Sequence, residues 1–311
     1  MTIIAGQFTP QWGHTALAVG FGKLYALRSF PEGSSLCVFD MGVPMDGIMT
    51  PEDFVMLGEY HTPGKHSCHI TLLDSQAVVC DYTSGTMSLF DLDGNGMPVG
   101  SPALIGFEGK GPDPARQASP HIHSSWVTPC GTAIIVADLG SDKIYRFPVK
   151  EGRIETRAQE SFGMPAGCGP RHCVFNADGS RLYIATELSD EVLVYSYPEM
   201  ELMQRCLVNE ACPRGGAHID MSPDGKYLFT SSRLKEDGIA VFRINQDGLL
   251  EKHCYTPTGR HPRHFAISSD GNMLLCANRD EDTIEVFAIS DGKPVKQEEY
   301  RTEKPVFVII N

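Results

Sequence analysis

Arg116, Gln117, His121 and His123 fall within eight residues of one another, just ahead of an extended run, Ser125-Trp126-Val127, and a turn at Pro129-Cys130-Gly131. Side chains at i and i+2 of an extended segment point to the same side, so His121 and His123 share a face. A guanidinium and an amide beside two imidazoles make a polar, partly cationic cluster. Such a cluster can bind an oxygen-rich anion or move a proton. An irregular loop with solvated histidines is the plain alternative. Comparable chemistry recurs further along at Arg171, Glu187, Arg233 and Arg263. Nothing local joins these residues, so the elements that carry them decide whether they meet.

Composition narrows the partners first. The chain has 311 residues, 41% of them hydrophobic, and a net charge of −13. A chain of this balance folds around a large core, and it lacks the basic face that nucleic acid or an anionic membrane would need. A small anionic substrate remains compatible, because an Arg/His pocket can sit in an acidic protein. No run approaches the ~18 apolar residues of a membrane span. The start, Met1-Thr2-Ile3-Ile4-Ala5-Gly6, has neither the basic region nor the apolar run of a signal peptide. Ten cysteines are scattered without a C-x-x-C pair, the nearest neighbours being Cys168/Cys173 and Cys206/Cys212. Cys80, Cys173 and Cys276 lie in strand-like runs and read as small buried hydrophobes. A reduced, cytoplasmic setting is expected. No P-loop, no dinucleotide fingerprint and no zinc-like set of histidines with carboxylate or thiolate partners is present, so neither cofactor nor metal is expected.

The chain is a repeat. The segments beginning at His121, Pro170, Gly216 and Pro262 align, with turn glycines at Gly131, Gly179, Gly225 and Gly271 spaced by 48, 46 and 46 residues. Each reads as a strand, a tight turn, a second strand ending in polar residues, a loop and a third alternating strand, with a weaker fourth. Two earlier units, from Gly13 and from His66, keep the pattern in degenerate form. Six units of about four strands at this period are β-propeller blades. Pro305-Val-Phe-Val-Ile-Ile resembles the innermost strand of a seventh blade, which Met1–Gln7 could join. An all-β propeller is therefore expected, most simply seven-bladed, with an incomplete or atypically closed terminal blade, in one domain over residues 1–311. The longest non-strand insertions are read as Met41–Phe54 and Gly106–His121, and a long loop in one repeat commonly serves the binding face.

Register then sorts the polar residues. The innermost strand begins, and the second ends, at the same mouth of the channel. Eight residues before the turn glycine stand His123, Arg171, Ala217 and Arg263; seven before it stand Ser124, His172, His218 and His264. Eight after it stand Leu139, Glu187, Arg233 and Arg279. A structural repeat should keep one residue type at each place, whereas these places vary between His, Arg and Glu. The recurring His172, His218 and His264 read as structural ties, Arg171 with Glu187 could be a plain salt bridge, and Arg279 a solvated turn charge. Arginines supply bidentate donors to carboxylate or phosphate and would stabilise an oxyanion at a carbonyl; His or Glu would serve as acid or base. No G-x-S-x-G nucleophile motif appears. Water-mediated ester or lactone chemistry fits these residues best.

Several motifs in order carry a resemblance. They are Lys110-Gly-Pro-Asp-Pro-Ala-Arg-Gln-Ala-Ser-Pro-His-Ile-His, Val136-Ala-Asp-Leu-Gly-Ser-Asp, Gly169-Pro-Arg-His, Thr186-Glu-Leu-Ser, Met221-Ser-Pro-Asp-Gly and Pro262-Arg-His-Phe. Over roughly residues 60–311 the chain resembles the seven-bladed propeller lactonases, a family that includes 6-phosphogluconolactonases and the fungal carboxy-cis,cis-muconate cyclase. The resemblance implies a pore-mouth catalytic group of His123 (with His121), Arg171, Glu187 and a second arginine, Arg233 or Arg263, of which Arg233 is taken as catalytic. Arg116, Gln117, His121 and Arg263 are expected to bind substrate. Two departures stand out: the N-terminal blade strands are largely missing, and Gly216-Ala217-His218 lacks the Pro-Arg of its sister repeats. The expected activity is hydrolysis of a sugar-acid lactone, the substrate small and anionic, with or without a phosphate. Muconate-type lactonising cyclisation is the enzymatic alternative. A propeller scaffold for protein partners is the non-catalytic one, although no Trp-Asp blade signature supports it.

Overall fold

Short runs of Val, Ile, Leu, Ala and Tyr between turn residues leave each segment one stable option, a strand covered by its neighbours. The computed structural model describes residues 2–7, 13–42, 47–210 and 214–310; Cys212 lies outside them. Second strands are covered on both faces and so read as near-continuous apolar runs. Gln76–Asp81 and Ala133–Asp138 are buried at every residue, and Arg181–Thr186, Tyr227–Ser232 and Met273–Asn278 at all but the first. Outer strands such as Leu202–Leu207 are mostly exposed. Among the described residues no helix is long and apolar enough to cross a membrane.

The chain divides into two compact units, residues 1–169 and 170–310. In the first, three antiparallel sheets start from innermost strands Gly13–Gly20, Ser67–Leu72 and Ile122–Val127. Strand Thr2–Gln7 pairs in parallel with Gly47–Met49, Ile3 opposite Ile48. In the second unit, three further sheets start from Pro170–Phe175, Gly216–Met221 and Pro262–Ile267, and strand Pro305–Ile310 packs on the last of these. Seven sheets result, one with three strands and the others with at least four. The fold is a seven-bladed β-propeller with a small terminal blade.

One expectation needs correcting. The stretch Met41–Phe54 is not wholly without strand, because Gly47–Met49 supplies one, followed by a 3-10 turn at Pro51–Asp53. Three residues are too few to show a period of two, so no alternation announces it. Residues 43–46 lie outside the described residues. The loop from 107 to 121 is free of strand, in keeping with its Gly- and Pro-rich sequence.

Blades pack face to face. Val78, Met87, Ile134, Val136, Tyr145 and Phe147 form one such core in the first unit. In the second, Tyr183, Val192 and Val194 meet Ile219, Ala240 and Phe242, while Phe229 and Val241 meet Phe265, Leu274 and Phe287. Each fully buried large side chain contributes about 1.5–3 kcal/mol by leaving water. The turn glycines Gly131, Gly179, Gly225 and Gly271 all have φ of 70–73°, the left-handed region that L side chains avoid. They therefore fix the register between the first two strands of these four blades.

That register contains a recurrent irregularity. Pairing of the first strand with the second slips between Ser67 and His69, Ile122 and Ser124, Pro170 and His172, Gly216 and Ile219, and Pro262 and His264. The residues inside these slips are Cys68, His123, Arg171, Ala217 with His218, and Arg263. A bulge leaves one residue outside the ladder and re-aims its side chain. The strand core can thus remain apolar while the bulged residue carries chemistry.

Candidate active site

Arg171 occupies the bulge of its strand, and Glu187 and Arg233 directly follow the ends of second strands, after Thr186 and Ser232. The pairs Pro170–Thr186 and Gly216–Ser232 hold these ends together. Arg171 Nε donates to Glu187 Oε2 at 3.0 Å, and Arg233 Nη2 approaches the same oxygen at 3.1 Å. Two guanidiniums therefore share one carboxylate oxygen. The plain salt bridge anticipated for Arg171 and Glu187 is present, but it is half of a three-residue group.

Both guanidiniums are almost fully buried, 2% exposed for Arg171 and 4% for Arg233. A buried cation is tolerated only if its donors are matched, and backbone carbonyls do most of this. Arg171 Nη1 donates to the Ala217 carbonyl. Arg233 donates through Nε to the Gly215 carbonyl at 3.0 Å and through Nη2 to that of Gly216 at 3.1 Å. Each guanidinium also has an imidazole behind it: His172 Nε2 lies 3.3 Å from Arg171 Nη1, and His261 Nε2 lies 3.2 Å from Arg233 Nη1.

His172, His218 and His264 are buried and continue from this point. Because Arg171 can only donate, His172 accepts at Nε2 and carries its proton on Nδ1. It then donates to His218 Nδ1 at 2.8 Å. His218 stacks on His264 with ring centroids 3.9 Å apart, and His264 on Phe307 at 3.7 Å. These contacts suit the bracing role expected of the three.

His261 was not anticipated. Its place in the repeat, ten residues before Gly271, is the one His121 holds before Gly131, and that equivalence was the available signal. Burial and the charges of Arg233, Arg279 and Arg263 push its pKa down to about 3, with Asp280 opposing. Its imidazole is therefore neutral. Arg279, in its turn and 30% exposed, forms two hydrogen bonds to Asp280, Nε to Oδ1 at 2.7 Å and Nη2 to Oδ2 at 3.0 Å. Arg263, in the bulge of its own strand, is half-buried.

The first unit holds a second, smaller group. Asp138, fully buried at the end of strand Ala133–Asp138, accepts from the His121 backbone N–H at 2.8 Å and so fixes where the long loop rejoins the blade. His121 Nδ1 lies 2.8 Å from the Tyr82 carbonyl, which can only accept. Nδ1 therefore donates to it. The imidazole stacks on the Tyr82 ring at 4.5 Å, and Arg116 Nη2 donates to the Tyr82 hydroxyl at 3.0 Å. His123 is buried, edge-on to the same ring at 5.7 Å. Tyr82 thus gathers Arg116, His121 and His123, a role the sequence did not suggest.

Gln117 departs from expectation. It is fully buried, its Nε2 donating to the Leu139 carbonyl at 2.9 Å and to Asp142 Oδ1 at 2.7 Å, while Oε1 accepts from the Asp113 N–H at 3.2 Å. The Pro112–Arg116 turn leaves backbone groups inside the loop that need partners, and the Gln117 amide meets that need. It shapes the loop and does not reach its surface.

Comparison with known proteins sharpens the meaning of this geometry. A family model described as lactonase, 7-bladed beta-propeller, matches residues 27–310. A 6-phosphogluconolactonase of Formosa agariphila is 32% identical over 247 residues, 76% of this chain and 70% of that protein. A Bacteroides uniformis crystal structure, described as a candidate 6-phosphogluconolactonase, matches with a TM-score of 0.87 and 32% identity over 98% of this chain and 90% of its own. A Bacteroides fragilis structure similarly described matches with a TM-score of 0.88 and 27% identity over 99% and 96%.

Proposed function

Since the chain belongs to the lactonase family of seven-bladed β-propellers, we propose that it is a sugar-lactone lactonase whose chemistry centres on Arg171, Glu187 and Arg233. Water adds to the lactone carbonyl, the ring C–O bond breaks, and the product is a hydroxy-carboxylate. Negative charge develops on the carbonyl oxygen during addition and persists on the product carboxylate. Arg171 and Arg233 supply fixed donors for that charge, and for an anionic group elsewhere on the substrate. Removal of the attacking water's proton falls to Glu187 or His123, with Arg116, His121 and Arg263 as substrate contacts.

The observation that carries this reading is the shared carboxylate: two guanidiniums, both nearly buried, within 3.0 and 3.1 Å of one Glu187 oxygen. A scaffold has no need to keep two cations in so dry a place. The substrate is proposed to be phosphorylated, as the name of the Formosa agariphila relative suggests. A cytoplasmic setting, a single propeller domain and no nucleic-acid partner complete the proposal.

The test is hydrolysis of 6-phosphogluconolactone by the purified protein. Arg171→Ala should lower kcat/KM about 100–1,000-fold, the usual cost of losing an oxyanion donor. Glu187→Gln and His123→Gln, compared across pH, separate the two candidate bases, since only the true base removes the acid limb of the profile. Wild-type rates no faster than spontaneous opening would reject this substrate, and activity on a carboxymuconate would point to cyclisation instead.

A further inference from the structure

His261 lies outside the residues given a role above, yet it makes an oriented contact to one of them. Its Nε2 is 3.2 Å from Arg233 Nη1, and a guanidinium can only donate. A neutral imidazole accepts at one nitrogen only, so Nε2 takes the Arg233 hydrogen when the ring proton sits on Nδ1. Two groups face Nδ1: Asp280 Oδ2 at 3.2 Å and Arg279 Nη2 at 3.3 Å. Arg279 directs a hydrogen at Nδ1 as Arg233 does at Nε2, and Asp280 Oδ2 is the one acceptor of the three, so a ring proton on Nδ1 facing the carboxylate is the state that leaves Nε2 open to Arg233. Arg279 is held there by its own two bonds to Asp280. The ring is anchored from a third side, its backbone N–H donating to Asp237 Oδ2 at 2.5 Å.

We infer that His261 is a positioning residue for Arg233, passing the orientation set by Asp280 through a fixed tautomer to the guanidinium that shares Glu187. Arg233 has five N–H groups. Gly215 and Gly216 carbonyls and His261 take three of them, and Nη2 also lies 3.1 Å from Glu187. The second Nη1 hydrogen can meet a substrate oxygen, and its direction is set by its geminal partner, the hydrogen on His261. Rotation of the guanidinium by a few tens of degrees would misdirect it. A protonated His261 would face Arg233 with a second donor and push it away. Burial and the three surrounding arginines keep the ring neutral, so the acceptor persists through the physiological range. Arg233, Arg263, Arg279 and Asp280 are the charged groups that act on the ring, and Asp237 meets its backbone.

This inference rests on the functional reading of Arg233, and the experiment separates the two. Imidazole ¹⁵N spectra of the wild-type protein, with His261 assigned by its loss in His261→Gln, should show a proton on Nδ1 and none on Nε2 at pH 7 and at pH 5. An Nε2–H tautomer, or an imidazolium at pH 5, would overturn the inference whatever the substrate proves to be. With the lactone, His261→Leu should lower kcat/KM about 10–100-fold, the scale of a misoriented group. His261→Gln places an amide oxygen within reach of Arg233 and should recover to within about threefold of wild type. Thermal unfolding of both variants reports folding. Equal losses in Leu and Gln, or none in Leu, would refute the positioning role. If the wild type opens no lactone, the functional reading fails and the tautomer still decides this one.

Discussion

Asp190 offers a test of whether the ground beneath the candidate site is as dry as the geometry implies. It is fully buried, follows Glu187 by three residues, and accepts a 2.6 Å hydrogen bond from Ser232, the residue before Arg233. Burial pushes its pKa from 3.8 up to about 7, against the opposing effects of the Ser232 bond, Arg233 and Lys252. A carboxyl whose folded pKa is raised binds its proton more tightly in the native state. Its contribution to stability is complete below the unfolded value and is lost as pH rises through the folded one. For Asp190 the loss runs from about pH 4 to about pH 7. A shift of about three units corresponds to about 4 kcal/mol. Asp190→Asn cannot ionise, keeps an acceptor for Ser232, and suits the left-handed φ of 49° at this position. In urea unfolding at pH 8 the variant should be more stable than wild type by about 2–4 kcal/mol. At pH 4, where both side chains are neutral, the two should agree within about 1 kcal/mol. Asp81 and Asp220, each raised by burial to about 6, add slopes of the same sign to both proteins and cancel in the comparison. The same difference at both pH values, or a less stable variant at pH 8, would refute the claim that Asp190 is desolvated.

Two further predictions concern the frame. A Cβ on Gly216 would lie 2.1 Å from the Thr186 carbonyl, so Gly216→Ala should cost about 3 kcal/mol or more, whereas Gly163→Ala meets nothing and should be neutral by the same unfolding assay. Cys130 sits exposed in its turn with its pKa drawn down to about 7 by bonds from Thr128 and then Thr132, so iodoacetamide at pH 7 should label it far faster than buried Cys173. Thr132→Val should slow that labelling; equal rates by peptide mapping would remove the proposed activation.

The repeat was legible because each blade restates it. Turn glycines at φ near 70° mark the register in four blades, and counting from them placed Arg171, Glu187 and Arg233 where they are found. Three things were not legible, each for a physical reason. Gly47–Met49 pairs with Thr2–Gln7, and a three-residue parallel strand has no periodic signature. Gln117 looks like any polar loop residue, and only the folded loop reveals which backbone groups its amide must satisfy. Tyr82 and His261 act through contacts to residues distant in sequence, 39 positions in the case of Tyr82 and His121 and 28 in that of Arg233 and His261. A strand pattern is local, whereas a site contact of this kind is not.

The Gly216-Ala217-His218 departure looks different once the carbonyls are counted. From sequence alone it reads as one anion contact fewer, because sister blades have Pro170-Arg171 and Pro262-Arg263 there. In the folded blade this small-residue stretch supplies acceptors. Gly215 and Gly216 carbonyls bind Arg233, and the Ala217 carbonyl binds Arg171. The glycines also permit close passage of the backbone: a Cβ on Gly215 would lie 2.2 Å from the Arg233 carbonyl. By the register that sets Arg171 beside Glu187, an arginine at 217 would bring a third guanidinium beside Arg233. Like charges in so dry a place repel strongly, and the third would displace one of the pair. The alanine at 217 avoids that repulsion. The blade without that Arg thus supplies both the Arg233 side chain and backbone acceptors to the group.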